Sequence, residues 1–374
     1  MRYEKKDSEE SFLSKELIEF NPLLEDYSHV ERLSLENNIP EEDILISGLN
    51  ASGISFENVT NDRGRFTVTL PSGRKYFLAL TITSNPRSPF FYHEGSIYLG
   101  DKKVAEASEI EKDTCTDSYW RGGKNHLTLN SNSRSNCRGC TFCGTYSLED
   151  DDKALTDKGS LRRKAQELVK DKGSDFTDLK SIGVVTGCFP DETKLVDHLV
   201  MIREVFSEFG FNGELQYIGS QIRTEESLKK LSEMGKFAIY LTVEAFQNRE
   251  KLMKRTKASL TLESGRELLK LAKTYGIETS FLYIVGLDSL EKMTEEFPKY
   301  KDVITRLPQA QTFQAYVPAQ MKEVNSGAYS MDYFLKARKI IEASYPDLAP
   351  KGYLNYRSLW YTKYGDHDLP NEAV

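Results

Sequence analysis

Between residues 124 and 317, short apolar runs alternate with stretches whose apolar positions recur every three or four residues. The runs at 126–130, 182–185, 215–218, 237–243, 279–285 and 312–317 read as strands. The stretches at 161–170, 195–209, 225–234, 262–275 and 291–300 read as amphipathic helices, and Gly276 suits the left-handed residue that ends a helix. Strands and helices in strict alternation predict a parallel sheet built by right-handed crossovers. Six such units fall short of a closed eight-stranded barrel, so the pattern predicts an α/β fold, an open, partial (βα)6 barrel.

The preceding part has a different texture. Up to about residue 45 the pattern is helical, with Phe12, Leu13, Leu17 and Ile18 in one segment and Val30, Leu33 and Leu35 in another. From Ile44 to Ile110 it alternates with period two, at 66–70, 76–82, 90–92, 95–99 and 103–105. Pro71-Ser72-Gly73 marks a turn. These signals predict a small N-terminal α+β domain with an antiparallel sheet, in which Phe90-Phe91-Tyr92 forms core. Beyond the barrel, 331–344 reads as a helix stopped ahead of Pro346. The tail at 353–368 is rich in aromatic residues and is expected to cover the open barrel mouth. The division is therefore 1–120, 121–325 and 326–374.

Composition changes this picture little. The chain has 374 residues, 39% hydrophobic and 29% charged, ordinary globular values. Its formal net charge of −7 and the lack of a long basic run argue against a nucleic-acid binder. The first ten residues are charged and polar, without the apolar core of a signal peptide. No stretch reaches the ~18 apolar residues of a membrane span. The expected location is the cytoplasm.

The chemistry concentrates in Cys137-Arg138-Gly139-Cys140-Thr141-Phe142-Cys143-Gly144, which holds three of the five cysteines. Thiolates this close repel unless one metal centre neutralises them. Three are one short of a closed four-thiolate site. A three-cysteine [4Fe–4S] cluster would leave one iron open for a ligand. The alternative is a structural zinc site, with Cys115, Cys188 or a histidine as fourth ligand, in a non-enzymatic binding protein.

Taken in order along the strands, these motifs resemble the radical S-adenosylmethionine (SAM) enzymes over residues 124–320. The cysteine run follows strand one, with Phe142 before its last cysteine. Thr186-Gly187-Cys188-Phe189-Pro190 follows strand two and resembles the family's Thr-Gly-Gly-Glu-Pro stretch. Glu244 ends strand four, and Ile284-Val285-Gly286-Leu287 ends strand five. Two features depart from the family. The first cysteine gap is two residues instead of three, and Cys188 and Phe189 replace a glycine and a glutamate.

The resemblance implies Cys137, Cys140 and Cys143 as ligands of a [4Fe–4S] cluster. It implies Phe142, Gly187, Glu244 and Gly286 around SAM, with Arg255 or Arg266 on the SAM carboxylate as a bidentate partner. It implies reductive SAM cleavage to a 5′-deoxyadenosyl radical that abstracts hydrogen from a small or medium-sized biosynthetic substrate. An electron donor such as flavodoxin or ferredoxin is the expected partner. Gln216, Gln221, Gln314 and Tyr316 are candidates to line a polar substrate pocket. His126 and His198 show no ligand spacing and read as structural.

Overall fold

The computed structural model describes residues 23–56, 62–83, 88–112, 119–121, 123–131, 139–143, 153–315, 318–348, 350 and 357–370. The predicted helix around Phe12 to Ile18, Cys115, Cys137 and Tyr316 lie outside the described residues.

The N-terminal part opens with two helices, α1 (Tyr27–Asn37) and α2 (Glu41–Ser52). Asp26 caps α1 by accepting from the His29 N–H. Strand texture was expected from Ile44 onward, but this segment is helical. Pro40 starts it, and Glu41, Glu42 and Asp43 in the first turn complement the helix dipole. Residues 43–50 are buried on every side, so the apolar run Ile44-Leu45-Ile46 carries no amphipathic period.

Seven strands follow: β1 (Ile54–Ser55), β2 (Asp62–Thr69), β3 (Lys75–Thr83), β4 (Phe90–His93), β5 (Ser96–Leu99), β6 (Lys102–Ala107) and β7 (Glu111–Lys112). They pair in the order β3-β1-β4-β5-β6-β2-β7, and β2 also pairs with β3. The first six strands therefore close on themselves, which leaves few free edges. The sheet is mixed rather than antiparallel throughout, because β1 runs parallel to both neighbours. The aromatic run is divided by strand alternation. Phe90 is fully buried, while Phe91 is 41% exposed and stacks on Tyr98 at 5.0 Å.

A second seven-stranded sheet is ordered β14-β13-β12-β11-β10-β9-β8. Its strands are β8 (Tyr119–Arg121), β9 (His126–Ser131), β10 (Ser181–Thr186), β11 (Glu214–Gly219), β12 (Phe237–Glu244), β13 (Glu278–Val285) and β14 (Gln309–Thr312). Strands β9 to β14 are all parallel, and β8 adds an antiparallel edge too short to show a period. Between them run α3 (Lys158–Lys172), α4 (Glu192–Ser207), α5 (Glu225–Ser232), α6 (Arg249–Leu252), α7 (Arg255–Ala258), α8 (Leu262–Thr274) and α9 (Leu290–Glu296). Asp157, Asp191, Thr224, Thr261 and Ser289 cap the longer ones by accepting backbone N–H bonds. Strand β14 lies earlier than expected. Beyond Thr312 the chain leaves the ladder, although the Phe313 N–H still reaches the Val285 carbonyl.

The two faces of this sheet differ. Register and alternation put Ile182, Val184, Leu215, Tyr217, Ile239, Leu241, Phe281 and Tyr283 on the helix side, all at most 1% exposed. The opposite, concave face carries Thr128, Val185, Ile218, Leu282 and Ile284, and each of these is partly exposed. That face therefore lines a chamber whose floor, at Gln216, Ala238, Tyr240 and Ser280, is at most 1% exposed. At its amino end Arg306 grips Glu214 at 2.5 and 2.6 Å and Glu278 at 3.2 Å.

Helix α10 (Met331–Ser344) matches its predicted bounds. The chain ends in a hairpin of β15 (Lys363–Tyr364) and β16 (His367–Asp368). The described part of the tail packs against α2, α10 and the outer edge of β14, where the Arg357 carbonyl accepts from the Thr312 N–H. Asp43 of α2 and Arg338 of α10 form an ion pair with both side chains at most 3% exposed. Asp43 also accepts from the Tyr361 and Thr362 N–H groups, and Arg338 donates to the Leu359 and Lys363 carbonyls. One contiguous core runs from Leu24 through both sheets to Tyr364. Asp43→Ala would leave the buried Arg338 guanidinium with Glu342 as its only counter-charge and would strip the Tyr361 and Thr362 N–H groups of their acceptor. It is expected to lower stability by about 3–5 kcal/mol in urea unfolding, and a loss below about 1 kcal/mol contradicts the clamp.

Candidate functional site

The carboxyl ends of the parallel strands converge on the cysteine loop. Cys140 and Phe142 pack in a cluster of their own with Ala245, Leu252, Met253, Leu287 and Phe313. Cys143 and Ile284 lie at its margin. The loop is fixed by two backbone bonds. The Thr141 N–H donates to the Leu252 carbonyl at 2.8 Å, and the Cys143 N–H to the Cys140 carbonyl at 3.2 Å. Burial pushes the Cys140 thiol pKa up, and Glu244 and Cys143 push the same way. Lys257 and a bond from the Lys254 N–H oppose this.

Glu244 and Lys257 form a buried ion pair at 2.6 Å, with side chains 11% and 14% exposed. Burial works against the Lys257 ammonium, but the Glu244 carboxylate and the negative charge that Cys140 and Cys143 carry as thiolates outweigh it, so that its pKa is raised to about 12. Glu244 sits at a register shift of β12 with φ +65°. That left-handed conformation is costly for a side chain of this size. Two anchors hold the turn in place. Arg249 donates to the carbonyls of Val243, Ala245 and Leu260. Asp288, fully buried, accepts from the N–H groups of Phe246 and Gln247 and from the Tyr283 hydroxyl. Burial raises the Asp288 pKa, against these three bonds.

The remaining candidates separate into those near this cluster and those away from it. Gly187 is buried after β10. Cys188 beside it meets the Lys254 ammonium, and Lys254 also touches the cysteine loop at Gly139. Gln221 spends both ends of its amide on the Phe189 backbone, at 3.0 Å each. It therefore ties two loops together and does not face a pocket. Gln314 and Gln216 are buried. Gly286 has φ +119°, and a Cβ there would lie 3.1 Å from the Phe313 Cβ. Its close approach is to this chain's own residues. Arg255 is exposed at the start of α7. Arg266 pairs with Glu296 at 3.3 Å and lies over the Tyr300 ring, joining α8 to the segment after α9.

Sequence reading missed Lys257, Arg249 and Asp288. Lys257 lies in a four-residue helix with no period, and only the fold brings it to the end of β12. His126 and His198 are structural as expected. The His126 ring bonds the Ser181 hydroxyl at 2.8 Å, and His198 packs on Phe189. Groups of three or more His, Cys, Asp or Glu arranged for a metal are absent among the described residues, which exclude Cys137. The donor chemistry still fits a sulfur-bound iron centre. Two close thiols, one of them buried, are accompanied by a buried ammonium that offsets the charge their thiolates would carry.

A parallel α/β sheet thus brings two thiols and a buried ion pair together at its carboxyl edge. Residues 137–297, less than half of the chain, match the family model of the radical SAM superfamily, so this chain carries a radical SAM domain. It is an enzyme whose cofactors are SAM and a [4Fe–4S] cluster. Among solved structures it is similar to SuiB of Streptococcus suis bound to S-adenosylmethionine, at 13% identity and TM-score 0.39, over 53% of this chain and 42% of that one. The radical SAM methyltransferase TsrM of Kitasatospora setae, solved with cobalamin and a [4Fe–4S] cluster, matches at 12% identity and TM-score 0.39, over 52% and 38%. Coproporphyrinogen III oxidase (HemN) of Escherichia coli, a radical SAM enzyme, matches at 17% and 0.39, over 55% and 50%. The chain thus spans half or less of each of these structures. No curated protein matches the sequence.

Two outcomes follow from this geometry. Lys257→Met leaves Glu244 buried and unpaired and is expected to cost about 3–5 kcal/mol in urea unfolding. The double variant with Glu244→Gln should recover most of that loss, and simple additivity of the two changes would disprove the coupling. His198, with its Nε2 unbonded, is held neutral by burial at a pKa of about 4 against the ordinary 6.5. The unfolded chain binds this proton between those values and the folded chain does not. Stability should therefore fall as pH drops from 6.5 toward 4, by up to about 3 kcal/mol at the low end. His198→Leu should flatten that slope in urea midpoints measured across the window, and an unchanged slope refutes the assignment.

Proposed function

We propose that the chain cleaves SAM reductively at this site and uses the product to abstract hydrogen from a small or medium-sized biosynthetic substrate. The observation that supports this most is the meeting of Cys140 and Cys143 with the Glu244–Lys257 pair at the carboxyl edge of one parallel sheet. In this reading residues 121–325 are a partial (βα)6 barrel, preceded by a small α+β domain at 1–120 and followed by a helix and tail at 326–374.

Cys137, Cys140 and Cys143 would hold three irons, with Phe142 packed behind them. Gly187 would let backbone approach SAM, and Gly286 would shape the far wall. The cluster and SAM, when bound, supply an electron and a radical that no side chain can supply. The chain's own residues bind and orient. Glu244 and Lys257 present opposite charges side by side, which suits the ammonium and carboxylate of an amino acid. Lys257 takes the role expected of Arg255 or Arg266, because Arg266 is committed to Glu296. Phe142, Leu287 and Phe313 exclude water, which strengthens those charges. The electron donor would be a flavodoxin or ferredoxin, in a cytoplasmic setting. No helix among the described residues is long and apolar enough to cross a membrane.

Anaerobic reconstitution tests the proposal. Iron and sulfide should each reach about four per chain, and dithionite should drive release of 5′-deoxyadenosine. Cys137→Ala, Cys140→Ala and Cys143→Ala should each abolish the visible absorbance and SAM cleavage, and Cys115→Ala should keep both. A zinc-loaded protein that does not bind SAM, or a Cys140→Ala variant that cleaves it normally, would sink the reading.

A further inference from the structure

Gly183 sits in the middle of β10, and nothing in the chain requires a glycine there. Its φ lies outside the positive region, and its register with β9 and β11 is unbroken, so it makes neither a turn nor a bulge. A Cβ at Gly183 would lie 3.8 Å from Gln216 Oε1 and 3.9 Å from the Leu127 carbonyl, ordinary contact distances. A strand-interior glycine costs stability, and it often marks a place where a ligand comes close.

The neighbour across the ladder makes the same point independently. Gln216 is 1% exposed. Its Nε2 donates to Glu214 at 2.7 Å, and Glu214 is itself gripped by Arg306. A carboxylate only accepts, so this contact fixes which end of the amide points which way. Gln216 Oε1 is left buried without a partner, and it borders the space over Gly183. A buried carbonyl oxygen of this kind calls for a donor.

The surroundings narrow the donor's chemistry. Arg306 pairs with Glu214, and the second carboxylate it reaches, Glu278, is 44% exposed to solvent, so the floor holds no buried unpaired charge to call for a cation. The partly exposed walls nearby are Val185, Ile218, Leu282 and Ile284, all aliphatic, with Thr128 beside Gly183 as the one hydroxyl among them. Gly183 lies three strand residues below Thr186, roughly 10 Å deeper than the loop that follows β10.

We infer that the chamber floor at Gly183 and Gln216 receives the buried end of the substrate, an uncharged, largely apolar group carrying one N–H or O–H donor. The inference rests on the proposed function for the existence of a substrate in this chamber. Gly183 gives the group room to lie against the sheet, and Gln216 Oε1 accepts its hydrogen bond.

Phenol and indole serve as probes, each beside its donor-free counterpart, anisole and N-methylindole. Binding is measured by ligand-observed NMR on anaerobically reconstituted protein, with thermal unfolding and SAM binding measured on the same samples. At least one donor probe should bind about tenfold more tightly than its methylated counterpart, the worth of one buried hydrogen bond. Gly183→Ala and Gln216→Leu should each weaken that probe by a similar factor and leave SAM binding at the parent's level. Gly183→Ala should keep or raise the Tm. The inference is overturned if neither donor probe binds, if each pair binds equally, if Gly183→Ala retains full probe binding, or if that variant lowers the Tm, which would make the glycine a packing residue. Loss of cluster or SAM binding by the parent itself would instead strike the proposed function, and probe discrimination at Gly183 would still stand.

Discussion

Much of the site depends on one constraint, that charges buried together must sum to nearly nothing. Glu244 and Lys257 are each costly to bury alone, and Cys140 sits in the same dry cluster. Glu244 reaches its place only through a left-handed residue at the end of β12, a conformation worth about 1–3 kcal/mol of strain. Such strain persists only where the surroundings over-determine it. Arg249 holds the carbonyls on one side of the turn, and Asp288 holds the N–H groups on the other. Those two residues carry no chemistry in the proposed reaction, yet the pair could not stand without them.

The same strands serve two environments. Their helix-facing side is a closed apolar core, in which Phe246, Phe281, Tyr283, Phe297 and Tyr300 stack at centroid distances of 4.4 to 6.4 Å. The concave side is partly exposed and is bolted at its amino end by Arg306 across β11 and β13. A parallel sheet with only one face packed by helices needs its other face filled or used. Here the amino end is filled by ion pairs and the carboxyl end is left to the cysteine loop.

What the sequence revealed follows from this division. The strands and longer helices were legible because apolar period and capping residues agree at each of them, as at Thr261 before α8 and Ser289 before α9. Helix α2 was misread because burial on all sides erases the period. The cysteine loop was legible because three thiols in seven residues are rare in any other role. The choice of cation was not. Arg266 and Lys257 look alike in a sequence, and only the fold shows that Arg266 pairs with Glu296 away from the cysteine loop while Lys257 pairs with Glu244 beside the thiols. The clamp of Asp43 on Arg338 spans 295 residues, beyond any local pattern.

Glycines show the same limit from the other side. Gly286 and Gly183 both follow or interrupt apolar strands, and the sequence invites one explanation for both. At Gly286 the backbone is left-handed and Phe313 stands against it, so the fold itself demands glycine. At Gly183 neither condition holds, and the residue beside it carries an unanswered carbonyl oxygen. A glycine that the fold requires says little about ligands. One that the fold could replace with alanine, at no steric cost and some gain in rigidity, asks for a reason outside the chain. The chamber floor is where that reason is best sought, because the sheet there already spends Glu214 and Arg306 on fixing the direction of a single acceptor.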